Sequence, residues 1–238
     1  MRLSMARSYG TSSARVERQR GNFMHIVVLM VAMMTALPAF SRAAPATEPK
    51  PIKIVVLGDS LSSGLGLPGQ ATFPARLQKA LNDKGLDVEI GNAGVSGDTA
   101  SGGRDRLDWS VPDGTQGVIV ELGANDALRG IDPKITRSAL SEIVSRLKAR
   151  GIAVMLCGML APPNNGSDYA SQFNTIYPDL AKSFGVALYP FFLDGVVADA
   201  KLNQADGMHP TAAGVDIVVH KILPTVQAFI GTIGVQGR

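Results

Sequence analysis

From Pro51 onward the chain alternates short aliphatic runs, each stopped by a glycine or a polar turn, with longer segments of helical periodicity. That alternation admits few folds. Strands joined through crossover helices run parallel, and a parallel sheet needs cover on both faces. The runs are residues 52–57 (IKIVVL), 88–90, 117–122 (GVIVEL), 152–156 (IAVML) and 186–188. Helical patterns occupy 73–84, 133–150, 167–184 and 211–230. Asp132 is placed to cap the second of these, Pro133 suits a first turn, and Gly151 ends it. Pro224 is expected to bend the last. No internal repeat or second composition regime interrupts the pattern. The expectation is one α/β domain over residues 51–238, with about five parallel strands.

Charge is informative only once it is placed along the chain. The formal net charge of +3 alone would suggest a nucleic-acid partner. Six of the 23 basic side chains but one of the 20 acids fall within residues 1–43, which leaves 17 basic against 19 acidic groups beyond. The basicity belongs to the leader, and no nucleic-acid partner is expected. Those arginines precede a 14-residue apolar stretch, 24–37 (MHIVVLMVAMMTAL), then Pro38 and a run of small residues. This is the order of a secretory signal peptide, 1–43, cleaved after Ala43 with Ser41 and Ala43 at the small-residue positions. A spanning helix needs about 20 apolar residues, so no stable membrane anchor is expected. Met5 and Met24 are alternative starts. Residues 44–50 read as a Pro-rich linker, and the mature protein as periplasmic or secreted. The single cysteine, Cys157, excludes an intramolecular disulfide and a zinc site of several thiolates. It reads as a small core residue of the fourth strand.

In sheets of this kind the loops at the carboxyl ends of the strands carry the chemistry. Polar, glycine-rich segments stand there. Gly58-Asp59-Ser60-Leu61-Ser62 follows the first run, and 91–99 (GNAGVSGDT) the second. Gly123-Ala124-Asn125-Asp126 follows the third, while Asp206-Gly207-Met208-His209-Pro210 lies near the C-terminus. A serine hydroxyl is a weak nucleophile until a base, usually an imidazole oriented by a carboxylate, stands within hydrogen-bond reach. Of three histidines, His25 lies in the leader and His220 in the middle of a helix, leaving His209. In a turn, Asp206 meets His209 Nδ1 and leaves Nε2 for Ser60. Acyl transfer also needs donors for the developing oxyanion, which Gly97 and Asn125 would supply. Ser60 lies outside a Gly-x-Ser-x-Gly elbow, which disfavours an ordinary α/β-hydrolase.

These four blocks, in this order over residues 51–231, resemble the SGNH hydrolases, also called the GDSL esterase/lipase family. The resemblance implies a flavodoxin-like three-layer α/β/α sandwich with no metal and no organic cofactor. It implies Ser60 as nucleophile, Asp206 and His209 as its partners, and Gly97 and Asn125 in the oxyanion hole. The stretches Ser96–Thr99, 121–130 and 176–181 are similar to the exported bacterial arylesterase, acyl-CoA thioesterase I and lysophospholipase group, with Ala124 where that group often has glycine. The expected substrate is a small-molecule acyl ester or thioester. Leu61, Leu65, Leu67, Leu128, Ile131, Leu160 and Met208 are candidates to contact an acyl chain or aromatic leaving group. A carbohydrate acetylesterase on the same fold is the rival enzyme reading. A phosphate-binding module is the non-enzyme rival, though Gly-x-Gly-x-x-Gly and Walker patterns are missing.

Overall fold

A computed structural model describes residues 50–233. The expected signal peptide and the linker up to residue 49 lie outside the described residues, as do 234–238. Five parallel strands form one sheet in the order β2-β1-β3-β4-β5. They are β1 (Ile52–Gly58), β2 (Val88–Gly94), β3 (Gly117–Glu121), β4 (Ala153–Cys157) and β5 (Ala187–Tyr189). Every residue of β3 and β4 is buried, which for a strand of alternating side chains means that both faces are covered. The helices form two packed groups. In one, α2 (Phe73–Asn82) lies against the C-terminal α9 (Ala212–Ile233); in the other, α6 (Pro133–Ala149) lies against α3 (Ala100–Asp105) and α8 (Ile176–Phe184).

Local chemistry explains the clearest of these elements. In α6 the Asp132 side chain accepts from Lys134 N at 2.9 Å, a cap worth about 1 kcal/mol. Ala139, Leu140, Ile143, Val144 and Leu147 then bury one stripe completely, which holds the helix to the sheet far more than its propensity does. By composition α9 is apolar enough to cross a membrane, yet its Val215, Val218, Ile222, Val226 and Phe229 lie in the core. It is a core helix of the fold, and it runs unbroken through Pro224. His220 is exposed on it, and Cys157 is fully buried on β4.

Three expectations on local structure need correction. The second strand runs to Gly94 instead of stopping at Ile90, because residues 91–94 pair in register with Val55–Gly58 despite their poor strand propensity. The helical segment 167–184 is two helices, α7 (Ser167–Phe173) and α8, separated at Asn174-Thr175. Short helices α1 (Ser60–Ser63) and α5 (Ala124–Leu128) fill stretches read as loop, and α3 and α4 (Leu107–Ser110) a stretch to which the sequence assigns no element. Each has six residues or fewer, too short to show a hydrophobic period.

Candidate active site

The site forms where β1, β2 and β3 end together. Asp59 leaves β1 and caps α1, its Oδ1 accepting from Leu61 N at 3.0 Å, so Ser60 becomes the first residue of a helix and its hydroxyl stands half-exposed. As a first-turn residue Ser60 has no intrahelical acceptor for its N–H. The loop after β2 folds back, with Val95 N donating to Gly58 O at 3.0 Å, and presents Gly97 at φ +84°. Among the described residues nothing accepts the Gly97 N–H, while its carbonyl accepts from the Arg129 guanidinium at 2.8 Å. Asn125, in the first turn of α5, donates both amide hydrogens: to Asp98 O at 2.9 Å and to Asp59 Oδ2 at 3.1 Å.

The fourth segment reaches the same edge through a tight loop. Asp206 Oδ1 accepts from Met208 N at 2.9 Å and from His209 N at 3.0 Å, the turn geometry that an Asx side chain favours. Its Oδ2 lies 2.7 Å from His209 Nδ1, and His209 Nε2 lies 2.8 Å from Ser60 Oγ. The structure therefore brings Ser60, His209 and Asp206 into one hydrogen-bonded row and places Asn125 beside it through Asp59. Those two backbone N–H groups hold the Asp206 carboxyl down to about 2, aided by the imidazole. Asp206 is thus ionised throughout the range in which folded protein is assayed. Its depressed acid favours the folded state above the ordinary carboxylate range and ceases to do so as pH falls through about 2.

Several supports were not legible in the sequence as parts of the site. Gln204 Nε2 donates to Leu65 O at 2.8 Å and to Pro210 O at 3.0 Å, fastening the histidine loop to the loop after α1. Pro210 pairs in an isolated bridge with Asn203, just before the last helix begins at Ala212. Arg106, buried, donates to Asp98 Oδ2 at 2.6 Å, Ala93 O at 2.8 Å and Gly58 O at 2.9 Å, tying the ends of β1 and β2 to the Gly97 loop. Beneath α1, Glu121 Oε2 accepts from Ser62 Oγ at 2.6 Å and from Asp59 N at 3.3 Å. Glu121 is fully buried, and desolvation, with the Asp59 charge beside it, raises its acid well above the usual range. A side chain on Gly58 would strike this pair, its Cβ 2.3 Å from Ser62 Oγ and 2.6 Å from Glu121 Oε2.

Of the seven apolar candidates, Leu65, Leu128, Leu160 and Met208 are exposed and Leu67 and Ile131 half-buried. Leu61 is a core residue, 7% exposed, because the first turn of α1 points it inward. Val95, not among the candidates, is 45% exposed on the loop carrying Gly97.

The parallel sheet with helices packed on it defines an α/β protein of sandwich type, and comparison with known proteins assigns it more closely. Residues 56–217 match the GDSL-like lipase/acylhydrolase family. An arylesterase from Vibrio mimicus is 42% identical over 174 residues, 71% of this chain and 84% of that protein. The thioesterase 1/protease 1/lysophospholipase L1 of Escherichia coli K12 is 36% identical over 187 residues, 78% of this chain and 84% of that one. Among solved structures, the SGNH-hydrolase family esterase AlinE4 (42% identity, TM-score 0.65) covers 76% of this chain with 98% of its own. TesA (38%, TM-score 0.71) covers 74% of this chain with 99% of its own. The chain belongs to the GDSL-like lipase/acylhydrolase family, the SGNH hydrolases. It is an ester hydrolase.

Proposed function

We propose that the protein hydrolyses small carboxylic esters and thioesters with apolar acyl or aryl groups, through a covalent acyl-enzyme on Ser60. The observation that carries this reading is the unbroken row Ser60 Oγ–His209 Nε2–Nδ1–Asp206 Oδ2, at 2.8 and 2.7 Å. Ser60 Oγ attacks the acyl carbon as its proton passes to Nε2, and the carbonyl electron pair moves onto oxygen. The Ser60 and Gly97 N–H groups and the Asn125 amide take up that oxyanion, and loss of one such donor costs about 100- to 1,000-fold in rate. Collapse of the tetrahedral adduct expels the alcohol, phenol or thiol, which leaves with the proton from Nε2. Water then attacks the acyl-enzyme by the same route. Leu65, Val95, Leu128 and Leu160, exposed on the segments that follow β1, β2, β3 and β4, and Met208, exposed beside His209, favour an apolar acyl or aryl group over a sugar.

A panel of aryl esters, acyl thioesters, lysophospholipids and acetylated sugars tests the substrate class. The expected order puts apolar acyl and aryl esters first; a steep preference for acetylated sugars would replace this reading with that of a carbohydrate acetylesterase. Asp206→Asn leaves the loop an oxygen acceptor but removes the charge that fixes the imidazole tautomer. It is expected to lower kcat by about 100- to 10,000-fold with KM within a few-fold, measured on the best ester of the panel.

The basic, apolar and small-residue order of residues 1–43 supports export with cleavage after Ala43. The N-terminal sequence of protein recovered outside the cytoplasm is expected to begin at Ala44. An intact leader on exported protein would refute the cleavage.

A further inference from the structure

Asp59 is the least expected residue of the site: a carboxylate without solvent exposure, directly before the proposed nucleophile, and outside the Ser60–His209–Asp206 row. Its two oxygens are divided between two tasks. Oδ1 caps α1 through Leu61 N, and Oδ2 accepts from Asn125 Nδ2 at 3.1 Å. A side-chain amide has a donor end and an acceptor end of nearly equal shape, so its surroundings decide which end faces where. Both groups against Asn125 Nδ2 are acceptors, the Asp98 carbonyl and the Asp59 carboxylate. An amide oxygen turned to either would meet another oxygen.

We propose that Asp59 is a positioning residue, whose buried carboxylate holds the Asn125 amide with its nitrogen turned toward the nucleophile turn, ready to donate to the oxyanion. The inference rests on the reading of Asn125 as an oxyanion donor. Of the two bonds, the one to Asp59 is the longer, and it is the hydrogen that the oxyanion shares as charge develops. The Asp98 carbonyl meanwhile keeps the amide plane in place. Arg106 supports that second anchor by gripping the Asp98 carboxylate.

Such a role has a signature that ordinary structural residues lack. Burial raises the Asp59 acid to about 6, with Glu121, Asp126 and Tyr177 around it and the His209 imidazole and Arg106 guanidinium facing the same turn. A raised carboxyl favours folding while protonated, and that contribution is lost as pH rises through about 6. At pH 8 the fold therefore bears a desolvated charge that function uses. Asp59→Asn removes the charge at equal size and leaves one oxygen for two donors.

The test is a double-mutant cycle of D59N and N125A at pH 8 on an aryl ester, with rates per active serine counted by a fluorophosphonate burst, which corrects for any unfolded fraction. N125A is expected to lose about 100- to 1,000-fold in kcat, as for removal of one oxyanion donor. D59N is expected to lose about 10- to 100-fold in kcat with KM within about threefold and Tm no lower than wild type, the second effect falling short of the first because one anchor remains. In the N125A background, D59N should cost less than about twofold more. A D59N enzyme at wild-type rate, or one whose loss multiplies undiminished onto N125A, overturns the inference alone. N125A at wild-type rate would remove the oxyanion reading of Asn125 and this inference with it.

Discussion

Ser60→Ala is expected to lower kcat for an aryl ester by at least about 10,000-fold, because removing the nucleophile of a serine-hydrolase row costs about as much as removing the whole row. The same change should hardly touch the fold. Ser60 is half-exposed, its Oγ bonds to His209 Nε2, and its backbone position at the first turn of α1 suits alanine. A shift in stability within about 1 kcal/mol is expected, since the one bond lost, to His209 Nε2, is only part-buried. Circular dichroism with thermal melting, beside the ester assay, separates the two outcomes. Turnover retained within tenfold would mean that another group attacks the ester.

Gly94→Ala should have the opposite profile, acting on the fold first. Gly94 ends β2 against Gly58, and a Cβ there would lie 2.3 Å from Ser63 N and 2.8 Å from both Ser62 C and Ser63 Cα. These are backbone atoms of α1, which no rotamer change moves aside. Either β2 parts from β1 or α1 lifts from the sheet, and Ser60 moves away from His209 in both cases. Overpacking of this kind costs about 3 kcal/mol or more in denaturant unfolding, with esterase activity lost even in the fraction that folds. Gly91→Ala is the control. Its Cβ would meet nothing nearer than Val55 Cγ2 at 3.6 Å, ordinary contact, so stability and rate should stay near those of the native protein. Equal behaviour of the two variants would contradict the close approach of α1 to β2.

What the sequence disclosed follows from which interactions are local. The strands β1, β3 and β4 were legible because each is a β-branched run ended by a turn, and α6 because its cap, its apolar repeat and its terminal glycine agree. The positions of Ser60, Gly97 and Asn125 followed from a general rule of parallel sheets, that chemistry stands after strand ends, and the Asp206–His209 pair from elimination among three histidines. His209 follows Asp206 by three positions, and the turn joining them could be drawn from that spacing alone.

The supports were hidden because they depend on pairings across distant segments. Residues 91–94 carry no strand signal of their own, and their place in β2 comes from pairing with β1. Arg106 sits in a stretch with no helical period, yet it holds Gly58, Ala93 and Asp98 together. Glu121 closes a buried, apolar strand, where a carboxylate is costly unless it is paired or protonated. That mismatch was the one signal in the sequence pointing beneath the nucleophile. Leu61 shows the converse error: adjacency to Ser60 suggested a substrate contact, while the α1 turn sends it into the core.

The covalent acyl-enzyme is the step on which the proposed mechanism turns. Rapid acid quench of the mature protein turning over a slowly deacylating aryl ester, followed by peptide mass analysis, should find one acyl group per chain on the peptide containing Ser60, bonded to that serine. An acyl group on any other residue, or continued turnover with Ser60 never acylated, would contradict it.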